Sequence, residues 1–293
     1  LAGALSLVAR RGIAPAPRTS TGPAVLVRVS LVPGPGVAPA AAVPAADPFA
    51  GTQAAGWPEG RAGIALPERE ATDGFSPPLV RQGLELVRDF VAGTQLDPEV
   101  WRGVRPWAAA LSLEPDQYAQ LIGALDHPVD DDVHSATGWV TRFDPQQVAV
   151  AETKARLSTA TTVAETVGGE LSVTVDGVFV YAVKAVATDT WTRFVVHRVW
   201  EFAFDKPALR HSKLRVRRIV TIAAPQACTA DSAAYFRPLF AIPAAAPAAG
   251  AAPNTPAATA QDLAGATLPL PAHDPLRLGS GTATVCGTLA VAV

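Results

Sequence analysis

The chain has 293 residues, a net charge of −2, 27 prolines and only 17% charged residues. Near neutrality excludes the electrostatics of a general nucleic-acid binder, and Ala/Pro crowding at both ends excludes one core spanning the whole length. Setting those stretches aside leaves about 170 residues, enough for a single sizeable core.

No methionine occurs, so a segment before Leu1 is expected to be missing. Residues 1–13 open with LAGALSLVA before Arg10 and Arg11 and read as the remnant of a membrane or signal segment. Nine apolar residues fall short of the about 20 that span a bilayer. Residues 14–72 read as a Pro/Ala-rich linker, because proline fixes φ and donates no hydrogen bond. Within it, Ala24–Val32 is a candidate edge strand.

A folded domain is expected over 73–240. Ser76 is placed to cap a helix whose first turn holds Pro77 and Pro78, where a missing N–H costs nothing. Val80, Leu84, Val87 and Val91 then recur at helical spacing, and Gly93 is the expected stop. Asp97-Pro98-Glu99 opens a second, short helix carrying Val100 and Trp101. A third runs from near Pro115 to about Leu125, with Tyr118, Leu121, Ile122 and Leu125 on one side.

The loop from His127 to Gly138 gathers His127, Asp130, Asp131, Asp132 and His134. Imidazole and carboxylate ligate divalent ions, yet no third histidine stands at motif spacing. The loop is therefore read as solvated, with no metal and no cofactor. WVTRF is read as a short strand before a turn at Asp144-Pro145, and Val148–Val167 as one long strand. Ala155, Leu157, Thr159, Thr161 and Val163 would form its half-buried face.

Gly168-Gly169 turns the chain into Leu171–Val183. Its apolar odd positions continue in phase across Asp176-Gly177, where a bend or bulge is expected. In the following run Phe194, Val196, Trp200, Phe202 and Phe204 take even positions, while Arg193, His197 and Glu201 take odd ones. The aromatic face belongs under the helices. Arg198 shares the parity of the aromatics. It either carries its guanidinium to the rim or faces a carboxylate or ligand, and the rim is the expectation.

The last strand, Lys213–Ile222, puts Lys213, Arg215 and Arg217 on an exposed face opposite Leu214, Val216, Arg218, Val220 and Ile222. Eight Lys/Arg against two acids between Arg193 and Arg218 make a local charge of +6. The stripe is read as a solvated face, with anion binding to an acidic envelope polymer or lipid as the sharper alternative. Residues 241–279 form a second Ala/Pro-rich linker and 280–293 a strand-like tail.

Short helices followed by long antiparallel strands over Phe75–Phe240 resemble the nuclear transport factor 2-like cone fold, which includes SnoaL-like proteins. More narrowly, FSPPLVRQGLELVRDFV, TRFDP at Thr141–Pro145, VFVYAV at Val178–Val183, RFVVHRVWEF and the final CGTLAV resemble uncharacterised membrane-anchored or secreted actinobacterial proteins. The resemblance implies an α+β fold, with N-terminal helices on a strongly bent antiparallel sheet, held outside the membrane. It brings no catalytic motif with it.

That fold hosts enzymes, ligand binders and assembly modules, so it does not choose among them. SnoaL-like enzymes keep an acid or base inside the cone. By parity only Tyr181 and Arg198, beside Trp200, would line such a pocket here. The reading is a non-catalytic binding or assembly module. Its partner would be a protein or cell-envelope ligand rather than nucleic acid, with a homo-oligomer as one option. The alternative is a SnoaL-like isomerase, cyclase or hydrolase acting on a small molecule. Cys228 and Cys286 are the two cysteines. In an extracytoplasmic chain they would pair as one disulfide, worth roughly 4 kcal/mol in the loop-entropy model. Thiol titration of the denatured chain without reductant should then find no free thiol; two reactive thiols would exclude the bridge.

Overall fold

A computed structural model describes residues 26–33, 43–68, 71–131, 133–151, 155–226 and 232–240. They form an α+β structure, with helices on one face of a mainly antiparallel sheet. The expected segments 1–13, 241–279 and 280–293 lie outside the described residues, as do Cys228 and Cys286.

Helix α1, Pro77–Gln95, begins with Ser76 extended and two prolines in the first turn. Val80, Leu84, Val87, Phe90 and Val91 are each at most 2% exposed, a single apolar stripe turned to the sheet. The helix does not stop at Gly93. Glycine is needed there because α3, Trp107–Ser112, crosses closely: a Cβ at Gly93 would meet the Ala109 methyl at 3.2 Å. Asp97, extended ahead of Pro98, ends α1 instead. Asp97 also accepts from the Glu99 N–H at 2.9 Å and so caps α2, Pro98–Trp101. Helix α4, Pro115–Asp126, buries Leu121, Ala124 and Leu125.

The expected strand at WVTRF is not formed. Ala136–Trp139 makes one helical turn, α5, and the chain continues buried to Phe143. The carbonyls of Thr137 and Trp139 accept from a side chain, Arg198, instead of joining a ladder. Phe143 makes an isolated bridge with Phe236.

Six strands form the sheet: β1 (Leu26–Pro33), β2 (Val148–Val150), β3 (Arg156–Glu165), β4 (Leu171–Ala185), β5 (Trp191–Phe204) and β6 (Arg215–Gln226). Their order is β1-β6-β5-β4, with β2 and β3 both on the far edge of β4. The edge strand near Ala24–Val32 is present as β1, parallel to β6. The single strand expected over Val148–Val167 is divided into β2 and β3, while its half-buried odd face is retained. A short helix, α6 (Lys206–Arg210), capped by Asp205, joins β5 to β6.

Strand β5 buries each even position from Thr192 to Phe204, as its alternation requires. Phe90 of α1 meets Phe202 edge-on at 5.7 Å, and Phe179 meets Trp200 at 5.9 Å. Strand β4 pairs with β5 without interruption from Leu171 to Lys184, so no bulge interrupts the register at Asp176-Gly177. Glycine stands at 177 for room. A Cβ there would meet the Phe179 ring at 2.9 Å and the Thr159 methyl at 3.1 Å.

The bulge lies in β6. Arg218 pairs with Glu201 but Val216 with Phe202, which leaves Arg217 as the extra residue. Leu214 and Val216 face the core before it; Ile219, Thr221 and Ala223 face the core after it. The alternation expected through Ile222 therefore reverses halfway along.

The boundary expected at residue 72 moves toward the N-terminus. Phe49 and Ala54 pack on Val180 and Ala182 across the outer face of the sheet. The Val43 N–H donates to the Trp191 carbonyl at 3.2 Å, and Ile64 joins the main core. The stretch covers the sheet with turns and two short 3₁₀ helices, Gln53–Gly56 and Gly60–Gly63, joined by irregular chain. Replacing Gly177 with alanine should cost about 1–3 kcal/mol in denaturant unfolding, with Gly168→Ala, in the open β3–β4 turn, as a near-neutral control. Equal stability of the two variants would show that Phe179 does not need the space.

Candidate functional site

Tyr181, Arg198 and Trp200 come together, each 0% exposed. Arg198 does not reach the rim, and among the described residues no carboxylate is one of its hydrogen-bond partners. Its Nε donates to Thr221 Oγ1 at 2.8 Å, and one terminal nitrogen donates to Gln95 Oε1 at 2.7 Å and Trp139 O at 3.2 Å. The other donates to Thr137 O at 2.5 Å. The guanidinium carbon lies 5.7 Å from the centre of the Trp200 ring.

Each acceptor owes its place to a local feature of the chain. The continuation of α1 past Gly93 carries Gln95 inward. The single turn of α5 presents the Thr137 and Trp139 carbonyls at its C-terminal end, where helical carbonyls lack partners. The bulge in β6 turns Thr221 to the core side. Gln95 is the hub. Its Oε1 also accepts from Thr141 Oγ1 at 2.8 Å, and its Nε2 donates to Thr94 Oγ1 at 3.0 Å and to Trp139 O at 3.3 Å. Its backbone carbonyl accepts from Trp101 Nε1 at 2.7 Å and from the Tyr181 hydroxyl at 3.0 Å.

Burial pushes Arg198 down to about 9, which leaves it charged at neutral pH. Burial pushes the Tyr181 phenol up, and it stays protonated and donates inward. Chemically, the cluster holds a cation among neutral dipoles, and Arg198 links β5 to α1, α5 and β6. The indole N–H groups of Trp139 and Trp200 are buried without a partner among the described residues.

The other expected sites are dispersed. His197 is on the outer face, its Nε2 2.7 Å from Asp176 Oδ1. That hydrogen bond holds the Asp176 carboxyl below its ordinary range. In the acidic loop, Asp131 pairs with His134 Nδ1 at 2.7 Å and accepts from the Val133 N–H at 2.8 Å. Among the described residues no three His, Cys, Asp or Glu side chains gather around a common point; Asp132 lies outside them.

The cation stripe is internally matched. Arg215 joins Glu114 at 2.9 Å and Glu170 at 3.1 Å, Arg217 also reaches Glu170, and Arg218 reaches Glu201. Lys213 Nζ donates to the Leu111 carbonyl at 2.5 Å. Glu114 and Glu170 are remote in sequence, so reading the stripe on its own strand overstated its free charge.

A groove of about 900 Å³, with no motif to signal it, opens between the helices and the β2–β3 edge. Ala92, Leu96, Trp101 and Ala108 form one wall, and Ala151 and Ala155 the other. No known protein family, curated protein or solved structure matches the chain.

Arg198→Met leaves oxygens in the core without a donor, and Arg198→Lys cannot reproduce the planar fork. Each should cost about 2–4 kcal/mol, with Thr221→Val, which removes only one acceptor, losing less. Wild-type stability in Arg198→Lys would show that the fork is not needed.

Proposed function

We propose that the chain is a non-catalytic binding or assembly module of the cell envelope, tethered outside the membrane, on a cone-like fold of the nuclear transport factor 2 type. The observation that carries the non-catalytic reading is the filled space beneath the helices. Tyr181, Arg198 and Trp200, the side chains that would serve a small-molecule enzyme, are at 0% exposure and bonded to neutral partners. An acid or base needs access to its substrate, and these groups have none in this arrangement.

The compartment rests on the apolar opening of the sequence and the envelope-protein resemblance. No helix among the described residues is long and apolar enough to cross a membrane. A tether would have to come from elsewhere in the chain. With the internally matched cation stripe, an anionic polymer is the less favoured partner, and recognition through shape and apolar contact is the better one.

The test uses intact cells carrying the whole gene. A membrane-impermeant amine reagent should label the domain, and chemical cross-linking should join it to an envelope component equally well with Tyr181→Phe. Protection from the reagent would overturn the compartment. Turnover of a small molecule abolished by Tyr181→Phe would overturn the non-catalytic reading.

A further inference from the structure

The two edges of the sheet are treated differently. At the β3 edge the Gly60 N–H donates to the Ala155 carbonyl at 2.9 Å, and the Leu157 N–H donates to the Pro58 carbonyl at 3.2 Å. Further along, the Ala65 N–H donates to Thr159 Oγ1 at 2.8 Å and the Gly74 N–H to Glu165 Oε2 at 2.7 Å. The chain's own residues cover that edge. At the other end β1 pairs with β6, and among the described residues no ladder forms on its second side. A strand carries backbone donors and acceptors on both sides, so an unpaired edge of eight residues is a template for another strand. Lysines, prolines or a covering segment normally blunt such an edge. Strand β1 reads LVRVSLVP, with Arg28 as its one charge and proline only at its end.

The register shows what a further strand must match. Val27, Val29 and Leu31 stand opposite Ile219, Thr221 and Ala223, the core-facing positions of β6. Arg28 and Ser30 stand opposite Val220 and Ile222. The two-residue alternation of the sheet therefore continues to its last strand. A strand added to β1 has to alternate in the same way, offer consecutive N–H groups and bring no charge to the covered side.

Outside the described residues one stretch of this chain meets all three demands. Residues 282–293 read TATVCGTLAVAV, with no proline and no charge, and half of them are β-branched. Val285, Leu289, Val291 and Val293 take odd positions; Thr282, Thr284 and Thr288 take even ones. The stretches 14–25, 34–42 and 241–279 are broken by proline or charge, and 1–13 carries Arg10 and Arg11 with only two β-branched residues. Reach is ample, since residues 241–279 span up to about 130 Å when extended. Position agrees with composition. Cys228 follows Gln226, the end of β6, by two residues and so stays within about 7 Å of it, and Gln226 pairs with Pro33 of β1. A bridge from Cys228 to Cys286 would bring the stretch to the end of the sheet where β1 stops.

We propose that residues 282–293 add to the free edge of β1 as a further strand and close it to other chains. The proposal does not depend on the binding-module reading.

Hydrogen exchange is measured on the complete chain and on one lacking residues 280–293. The deletion should speed exchange of the β1 amides directed away from β6 at least about tenfold, while β4 and β5 keep their rates. Leu289→Pro, which removes a ladder donor and keeps Cys286, should reproduce that loss. A photoactivatable leucine at position 289 should cross-link to residues 26–33, and should still do so with Cys286→Ser, which separates strand addition from the bridge. Exchange in β1 unchanged by the deletion, cross-links confined to other residues, or cross-links lost with Cys286→Ser would each overturn the proposal. Protection of β1 that disappears on dilution would overturn it too, because a second copy would then occupy the edge.

Discussion

A full positive charge sits in the centre of this fold with no negative charge bonded to it among the described residues. Moving an ion out of water costs several kcal/mol even after relaxation, and a buried guanidinium persists only if its N–H groups are satisfied. Arg198 meets that condition for four of its five N–H groups with neutral oxygens: two backbone carbonyls, one amide and one hydroxyl. Hydrogen bonds from a charged donor are worth about twice neutral ones, which is how dipoles alone can hold the cation. Losing any one acceptor returns part of the desolvation cost.

That requirement gives purpose to several departures from regular structure. Helix α1 carries an extra half-turn beyond Gly93 to deliver Gln95. The chain after Ser135 turns once and then runs irregularly, which frees two carbonyls for Arg198. The extra residue in β6 rotates Thr221 inward. The connector is secured from behind as well, since Thr137 Oγ1 donates to the Ser232 carbonyl at 2.7 Å and Phe236 N–H donates to the Arg142 carbonyl at 2.9 Å. The Gln95 carbonyl also accepts from Trp101, so the wall of the groove and the core share one hydrogen-bond network.

Much of this architecture was legible in the residues themselves. Prolines in the first turn placed α1, α2 and α4, with the Asp97 cap formed at α2 and Ser76 making no side-chain cap bond at α1. The alternation of Phe194, Val196, Trp200 and Phe202 fixed which face of β5 meets the helices. Parity also brought Tyr181, Arg198 and Trp200 to one place. The partners of Arg198 were hidden for physical reasons. Carbonyl acceptors have no side-chain signature, Gln95 lies 103 positions away in sequence, and a bulge in an arginine run breaks no hydrophobic pattern. The paired cations were misread for a similar reason, because Glu114 and Glu170 come from other elements. The packing of 43–68 was missed because proline density was taken for a tether, although prolines there punctuate short 3₁₀ turns that lie against the sheet.

The central claim is that Arg198 is charged, sealed from solvent and held by four hydrogen bonds to neutral oxygens, so that the interior is a structural core and not a pocket. The most direct measurement is the hydrogen exchange of the Arg198 Nε–H by nitrogen-15 NMR at neutral pH. The account predicts a resolved, slowly exchanging signal whose opening free energy approaches that of global unfolding. Exchange at the rate of a surface arginine, or a signal that shifts when small molecules are added, would contradict it and reopen the core as a binding pocket.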